Sequence, residues 1–479
     1  MGIKKNFVFS SFLSVSNFIF PLLTFPYVTR VLGVTNIGIF NWVNGITQYF
    51  VFISMMGIGI IGIREVAKNK SNPIELSKTF SSLLILNAAT TIVALISLMI
   101  AVTFVPQLAN HKEMFYIAAA NIFFNLFLVE WFFKGIEDFK YITLRSLTIK
   151  IFYTLAIFIF VRHRDDYIIY YLITVVSVVI NALFNWFYSR NFVRFSLKKI
   201  SIKPYIKPYF TLGFYLLLNS LYSTFNIIYL GFVAGDKEVG YYSTAIKLFG
   251  VSMAFFTAFT GVMMPRISSL LAENNTVEVK RLIYKSFDIL FVICFPIIIY
   301  CCFFAPQIIY IIAGPGFEGA ILPMRITMPL LLIIGIEQIL ILQLLMPLKN
   351  DKAIFINSLI GAVVGLSLGV FLVKNYQSVG SSFVLVCEEI AILISASYFV
   401  KKSFGFSIPL VKVVNNILFA LPYVVIDFLI LKLDFSAIMM LIIAFFLSLI
   451  YFLVIEIVAK KNEMVLGVFY SLQDKFLKT

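Results

Sequence analysis

Fourteen long apolar runs follow one another along the sequence, and they constrain the fold more than any other feature. A helix that spans a bilayer needs about 20 mostly apolar residues. The connections between the runs are short, and none has room for a soluble catalytic domain. We therefore predict an all-α polytopic membrane protein. The predicted spans are residues 7–30, 38–63, 79–104, 114–134, 144–161, 167–188, 209–234, 239–264, 286–312, 321–346, 353–373, 379–399, 411–431 and 435–458.

The composition supports a chain that faces lipid. Hydrophobic residues make up 61% of the sequence and charged residues 13%, whereas a soluble chain is roughly 45–50% apolar and about 25% charged. The four cysteines lie within apolar runs, and the two histidines, His111 and His163, have no histidine or cysteine neighbour. We expect no metal site, no disulfide framework and no cofactor.

The basic residues indicate how the chain is oriented. Most of the 38 Lys and Arg residues fall on alternate connections, and the positive-inside rule places those connections in the cytoplasm, together with both termini. The net charge of +15 is therefore an orientation signal that faces anionic lipid headgroups. Membrane lipids are the expected partners of this charge, and nucleic acid is not.

An internal repeat appears when the sequence is shifted by 202 residues. Four pairs then coincide: Gly33 with Gly235, Gly38 with Gly240, Asn17 with Asn219, and Arg64 with Arg266. Six predicted helices separate the copies, so the repeats are parallel. We predict two six-helix lobes, 1–200 and 201–400, followed by two extra helices and a cytoplasmic tail at 401–479. The paired glycines are expected to provide turn conformations closed to other residues.

Polar residues recur at helical spacing in the first two predicted helices of each lobe. Two interpretations stay open: hydrogen bonding between helices, or the wall of a water-filled cavity. The candidate cavity residues of this kind are Asn17, Asn41, Asn44, Gln48, Asn219 and Asn226.

Charged residues deep in a span are functional candidates, because each costs about 2.5–3.5 kcal/mol to insert at the bilayer centre. The carboxylates of Glu337, Glu388 and Glu389 are candidates for ion coupling. Lys247 is taken as the only lysine well inside a span. It is predicted to bind an anionic part of a substrate, and the alternative is an ion pair with Glu388.

Other charged residues lie closer to the predicted span ends. Arg30, Arg325 and Asp427 are expected to reach the outer interface, and Arg64 and Arg266 the inner one. The arginines are also candidate cavity residues. In the predicted eleventh helix, the glycines at 361, 365 and 369 are expected to allow close helix packing.

Two short motifs resemble a known family. The element R-V-L-G-x4-G at Arg30–Gly38 and the element G-I-R-E-V-A at Gly62–Ala67 resemble polysaccharide-synthesis flippases of the Wzx type. These flippases belong to the multidrug/oligosaccharidyl-lipid/polysaccharide exporter superfamily. Only Arg30 and Arg64 carry over by motif.

The resemblance implies a flippase that faces two lobes across a central cavity. Its implied substrate is an undecaprenyl-pyrophosphate-linked oligosaccharide, moved by alternating access from the cytoplasmic to the periplasmic leaflet of the bacterial inner membrane. A proton or sodium gradient would drive turnover. The implied pathway is O-antigen and lipopolysaccharide synthesis, with polysaccharide polymerase machinery as a candidate partner.

Two rival functions remain at this point. A multidrug exporter of the same superfamily would favour a more acidic cavity, suited to organic cations. A membrane glycosyltransferase or polymerase would need catalytic groups in periplasmic loops. The best such candidate is the four-residue connection His163–Asp166, which has little room for an active site.

Overall fold

The computed structural model describes residues 3–196 and 200–455, and within that part of the chain it contains helices and no strand. The α-helices are α1 (Ile3–Met55), α2 (Ile58–Asn69), α3 (Pro73–Phe104), α4 (Pro106–Ala109), α5 (Lys112–Asn125), α6 (Glu130–Gly135), α7 (Phe139–Phe160), α8 (Tyr167–Ser189), α9 (Lys203–Ala234), α10 (Asp236–Ala272), α11 (Thr276–Phe303), α12 (Ala305–Ile312), α13 (Ile321–Thr327), α14 (Leu330–Leu340), α15 (Asp351–Phe404), α16 (Leu410–Leu431) and α17 (Ala437–Val454).

Ten helical segments of the described chain are long and apolar enough to cross a bilayer, or eleven if a bent pair in α10 counts as one more. The protein is thus a multi-pass, all-α membrane protein, as predicted. Two of the ten segments are 51 and 54 residues long, and each contains a non-helical residue, Gly33 in α1 and Gln377 in α15. The count of fourteen and the cytoplasmic termini stay predictions, and the predicted tail at 456–479 lies outside the described residues.

Gly33 and Gly235 form the turns that the repeat predicts. Gly33 has φ 74° and ψ 171°, and Gly235, between α9 and α10, has φ 84° and ψ 177°. Positive φ disfavours residues with a Cβ, so the prediction is confirmed for this pair. For Gly38 and Gly240 the predicted turn conformation is wrong, because both lie within helices. Their lack of a side chain instead allows two helices to come close together.

The described residues group into two compact units. The first comprises those within Met1–Thr244, Ile312–Ala320 and Ser358–Glu388, and the second those within Ala245–Ile311, Ile321–Asn357 and Glu389–Thr479. The predicted lobe boundaries at residues 200 and 400 stay a prediction.

Within the first unit, α2 packs against α6 through the G-I-R-E-V-A motif at Gly62–Ala67. A Cβ on Gly62 would lie 2.5 Å from the Trp131 ring, and a Cβ on Gly135 would lie 2.6 Å from Val66. Trp131 and Val66 are both buried in an aromatic-rich core. The glycine and valine of the motif are therefore explained by helix packing, while Arg64 between them is exposed.

We expect Gly62→Ala to destabilise the protein by about 1–3 kcal/mol, because the added methyl group must displace a buried indole. Gly59→Ala on the same helix is the control, since nothing lies within 4 Å of its Cβ position. Thermal unfolding in detergent measures both variants. Equal melting temperatures for the two variants would contradict this packing role.

Candidate functional site

Within the first unit, α1 and α10 touch each other through equivalent glycines of the two repeats. A Cβ on Gly38 would overlap the carbonyl oxygen of Asp236, and a Cβ on Gly240 would overlap the carbonyl oxygen of Val34. Val34 and Asp236 are themselves 202 residues apart. The contact is therefore reciprocal, as in a twofold interface, where residue i meets j and j meets i. We call it the glycine contact.

One helical turn farther along, a side-chain hydrogen bond continues the glycine contact. The amide nitrogen Nδ2 of Asn41 donates to Oγ of Ser243 at 3.0 Å, and these positions are also 202 residues apart. Beside them, His111 lies 3.5 Å from the Asp236 carboxylate and packs edge-on against Trp42. Asn41, a predicted cavity residue, thus binds its own repeat counterpart.

Glu388 is buried, with 2% of its surface exposed, and the first unit holds it in a specific place. Nδ2 of Asn226 donates to both carboxylate oxygens, at 3.3 and 3.4 Å. A Cβ on Gly365 would overlap Oε1 of Glu388. One of the three predicted packing glycines therefore provides the space for a buried carboxylate.

In the second unit, Glu337 of α14 and Glu389 of α15 are both buried, and their carboxyl groups lie close enough to interact with each other. Two neighbouring buried carboxylates repel each other when both are ionised. Glu388 and Glu389 contact different partners, as adjacent helical residues about 100° apart must. The depth of these residues could be predicted from the sequence, but their partners could not.

Lys150 is a cation near the middle of α7, eleven residues after Phe139 and ten before Phe160. Its Nζ donates to Oγ of Ser16 at 2.7 Å and to Oδ1 of Asn17 at 2.5 Å. The expectation that Lys247 is the only lysine well inside a span is therefore wrong.

A buried cation, Arg145, lies five residues before Lys150 on the same helix. Its guanidinium donates to Glu130 at 2.9 Å and to Asn185, which in turn donates to the carbonyl of Leu128. That carbonyl lies in the break between α5 and α6, where Val129 has a positive φ of 37°. Arg145 and Asn185 thus stabilise a broken helix, and neither was predicted.

Asp427 of α16 was expected to reach the outer interface, and this is wrong. The residue is fully buried, and within residues 3–196 and 200–455 neither carboxylate oxygen has a hydrogen-bond partner.

The remaining predicted cavity residues are not brought together by the contacts of either unit. Arg30 packs against Gly314, whose Cβ position lies 2.9 Å from Cγ of the arginine. Arg64 pairs with its neighbour Glu65 at 3.0 Å, and Nε of Arg325 donates to the carbonyl of Cys302 at 2.9 Å. Of the others, Lys247 and Arg266 are exposed, Asn44 and Gln48 are half-buried, and the side chain of Asn219 lies outside the described residues.

The paired helix breaks, the reciprocal helix contact and the polar groups within the helices define a multi-pass, all-α membrane protein. Its fold is similar to that of lipid II flippase MurJ in an inward closed conformation, with a TM-score of 0.75 at 13% identity over 94% of this chain and 98% of that one. An inward-facing multidrug transporter of the MATE family gives a TM-score of 0.66 at 13% identity, over 81% of this chain and 94% of that one.

The family model described as "Polysaccharide biosynthesis protein" matches residues 3–271, and the chain belongs to this family. It is 25% identical over 403 residues to a protein named "Putative O-antigen transporter" from Escherichia coli K12, covering 81% of this chain and 94% of that protein. A protein of the same name from Shigella dysenteriae is 23% identical over 82% of this chain and 98% of its own length. The resemblance to Wzx-type proteins is thereby confirmed.

Proposed function

We propose that this chain is a flippase of the bacterial inner membrane for an undecaprenyl-pyrophosphate-linked oligosaccharide. By alternating access it moves the repeat unit from the cytoplasmic to the periplasmic leaflet, where polymerase machinery would receive it. The observation that carries the proposal is the match to O-antigen transporters over nearly their whole length. A sugar–pyrophosphate head cannot cross hydrocarbon without replacement of its hydration, and polar side chains within spans can replace it.

The candidate residues for this binding are those that the sequence singled out. Lys247, Arg30, Arg64, Arg266 and Arg325 would hold anionic groups of the head. The amides of Asn17, Asn41, Asn44, Gln48, Asn219 and Asn226 would hydrogen bond to the sugars.

The direct test uses the purified protein in liposomes that contain a fluorescent undecaprenyl-pyrophosphate oligosaccharide. We expect the head to become accessible to an external quencher only when the protein is present. A multidrug exporter would instead move a cationic dye and leave the lipid in place, and that result would overturn the proposal.

We further propose that Glu337, Glu388 and Glu389 couple transport to a proton or sodium gradient. The support is the close approach of the two buried carboxyl groups of Glu337 and Glu389. Such a group can release and regain its proton when its surroundings change from dry to wet.

We expect Glu337→Gln to remove at least about half of the stimulation by an imposed gradient, because an amide keeps the size and polarity of the carboxylic acid but cannot exchange a proton. The measurement is flipping rate with and without a pH or sodium gradient. Glu318→Gln is the control, since Glu318 is exposed. Full stimulation in both Glu337→Gln and the Glu337→Gln/Glu389→Gln double variant would contradict the coupling role.

A further inference from the structure

The region around Glu130 in the first unit contains more cations than carboxylates. Glu130 pairs with Arg145 at 2.9 Å and with Lys134 at 3.5 Å. Lys150 lies close enough for the charge of Glu130 to reach it, yet no ion pair within 4.0 Å among the described residues includes Lys150. One carboxylate thus faces three basic side chains, which leaves an excess of positive charge.

Lys150 is held in place by neutral groups. Ser16 and Asn17, one helix away on α1, accept two of its three N–H donors. An ammonium group has three donors and no acceptor, so these contacts fix the position of the charge without neutralising it. Lys150 is only half-buried and Asn17 is exposed, so the third donor can be reached from outside the helix pair.

The depth of Lys150 decides which anion can meet it. Its position lies about 15 Å from either end of α7, at 1.5 Å per residue. The headgroups of resident phospholipids also begin about 15 Å from the bilayer centre, so they stay at the ends of this helix. An anionic headgroup reaches the middle of the membrane only while it is being carried across.

We propose that Lys150, positioned by Ser16 and Asn17, binds the pyrophosphate of the lipid-linked substrate midway through its passage. This inference rests on the proposed function and adds to it a cation of the N-terminal helices that no motif identifies. The lysine neutralises one charge of the pyrophosphate. A single unpaired lysine holds a phosphate as a point charge, which allows release once the head moves on.

The test measures binding of two lipids to the full chain in detergent: undecaprenyl pyrophosphate and the uncharged alcohol undecaprenol. We expect the wild type to prefer the pyrophosphate at least about tenfold, as one charge-assisted contact provides. Lys150→Met should remove most of this preference, whereas Lys150→Arg should retain it. Phosphatidylglycerol should compete poorly with the pyrophosphate.

A control variant separates binding from a general loss of positive charge. Lys134→Met removes a neighbouring cation that is already paired with Glu130. It should retain the preference. If Lys150→Met does not fold, Lys150→Gln takes its place, because it keeps polar contacts without the charge.

Each contrary outcome has its own meaning. A wild type without any preference for the pyrophosphate would count against the proposed function itself. A preference that persists in Lys150→Met would overturn only the role of Lys150. Equal competition by phosphatidylglycerol would identify a general lipid-headgroup site and overturn the assignment to the carried substrate.

Discussion

Gly365→Ala should lower transport by at least about tenfold while the protein still inserts in the membrane. The added methyl group would occupy the position of Oε1 of Glu388, so the carboxylate must move away from Asn226. Losing hydrogen bonds to a buried charged group costs about 1.5–3 kcal/mol, which is roughly a factor of 10 to 100. Flipping rate per inserted molecule is the measurement.

Gly369→Ala provides the matched control for this variant, one helical turn away on α15. Its Cβ position lies 3.8 Å from the ring of Phe225, an ordinary contact, so transport should stay close to wild type. If the two variants lost transport equally, general helix packing and not the placement of Glu388 would explain the effect.

Crosslinking Asn41→Cys to Ser243→Cys should stop transport almost completely. The two side chains are in contact across the repeats, with 3.0 Å between Nδ2 and Oγ. Under alternating access the helices of the two repeats must separate at one stage of the cycle. A covalent link at the glycine contact would prevent that separation whatever the affinity for substrate.

This experiment requires a background in which the four native cysteines are replaced by serine, and a short, reducible, thiol-reactive crosslinker. The crosslinker should not change the transport rate of either single-cysteine variant, and reduction should return the linked protein to the rate that the double variant has before treatment. Sustained transport in fully crosslinked protein would show that the glycine contact never opens.

The depth of residues within membrane helices and the positions of glycine turns could be predicted from the sequence, because both follow from local composition. Long apolar runs identify membrane helices, and glycines at a matching offset identified the turns at Gly33 and Gly235. Lys150 was missed for a related reason. Counting basic residues by connection assigns a lysine near a cluster to the aqueous side, although α7 continues well beyond it.

Partners could not be predicted, because they depend on the rotation of each helix about its axis. The sequence offered Lys247 as a partner for Glu388, which stays a prediction, but it did not indicate that Asn226 of the first unit donates to this carboxylate. The glycine at 365 did predict close packing against its helix. A small residue at every fourth position, however, does not indicate which group packs there. The burial of Asp427 likewise follows from packing and not from its distance to the helix end.

The glycine contact has a consequence for how the two repeats can diverge. On a twofold axis, a residue of one copy faces the same position of the other, so identical copies would place two identical side chains at 41 and 243. Here Asn41 donates and Ser243 accepts. Gly38 and Gly240, one turn earlier on each helix, keep the backbone arrangement symmetrical. Duplication within one chain therefore permits complementary side chains at the axis, which a dimer of identical subunits could never acquire.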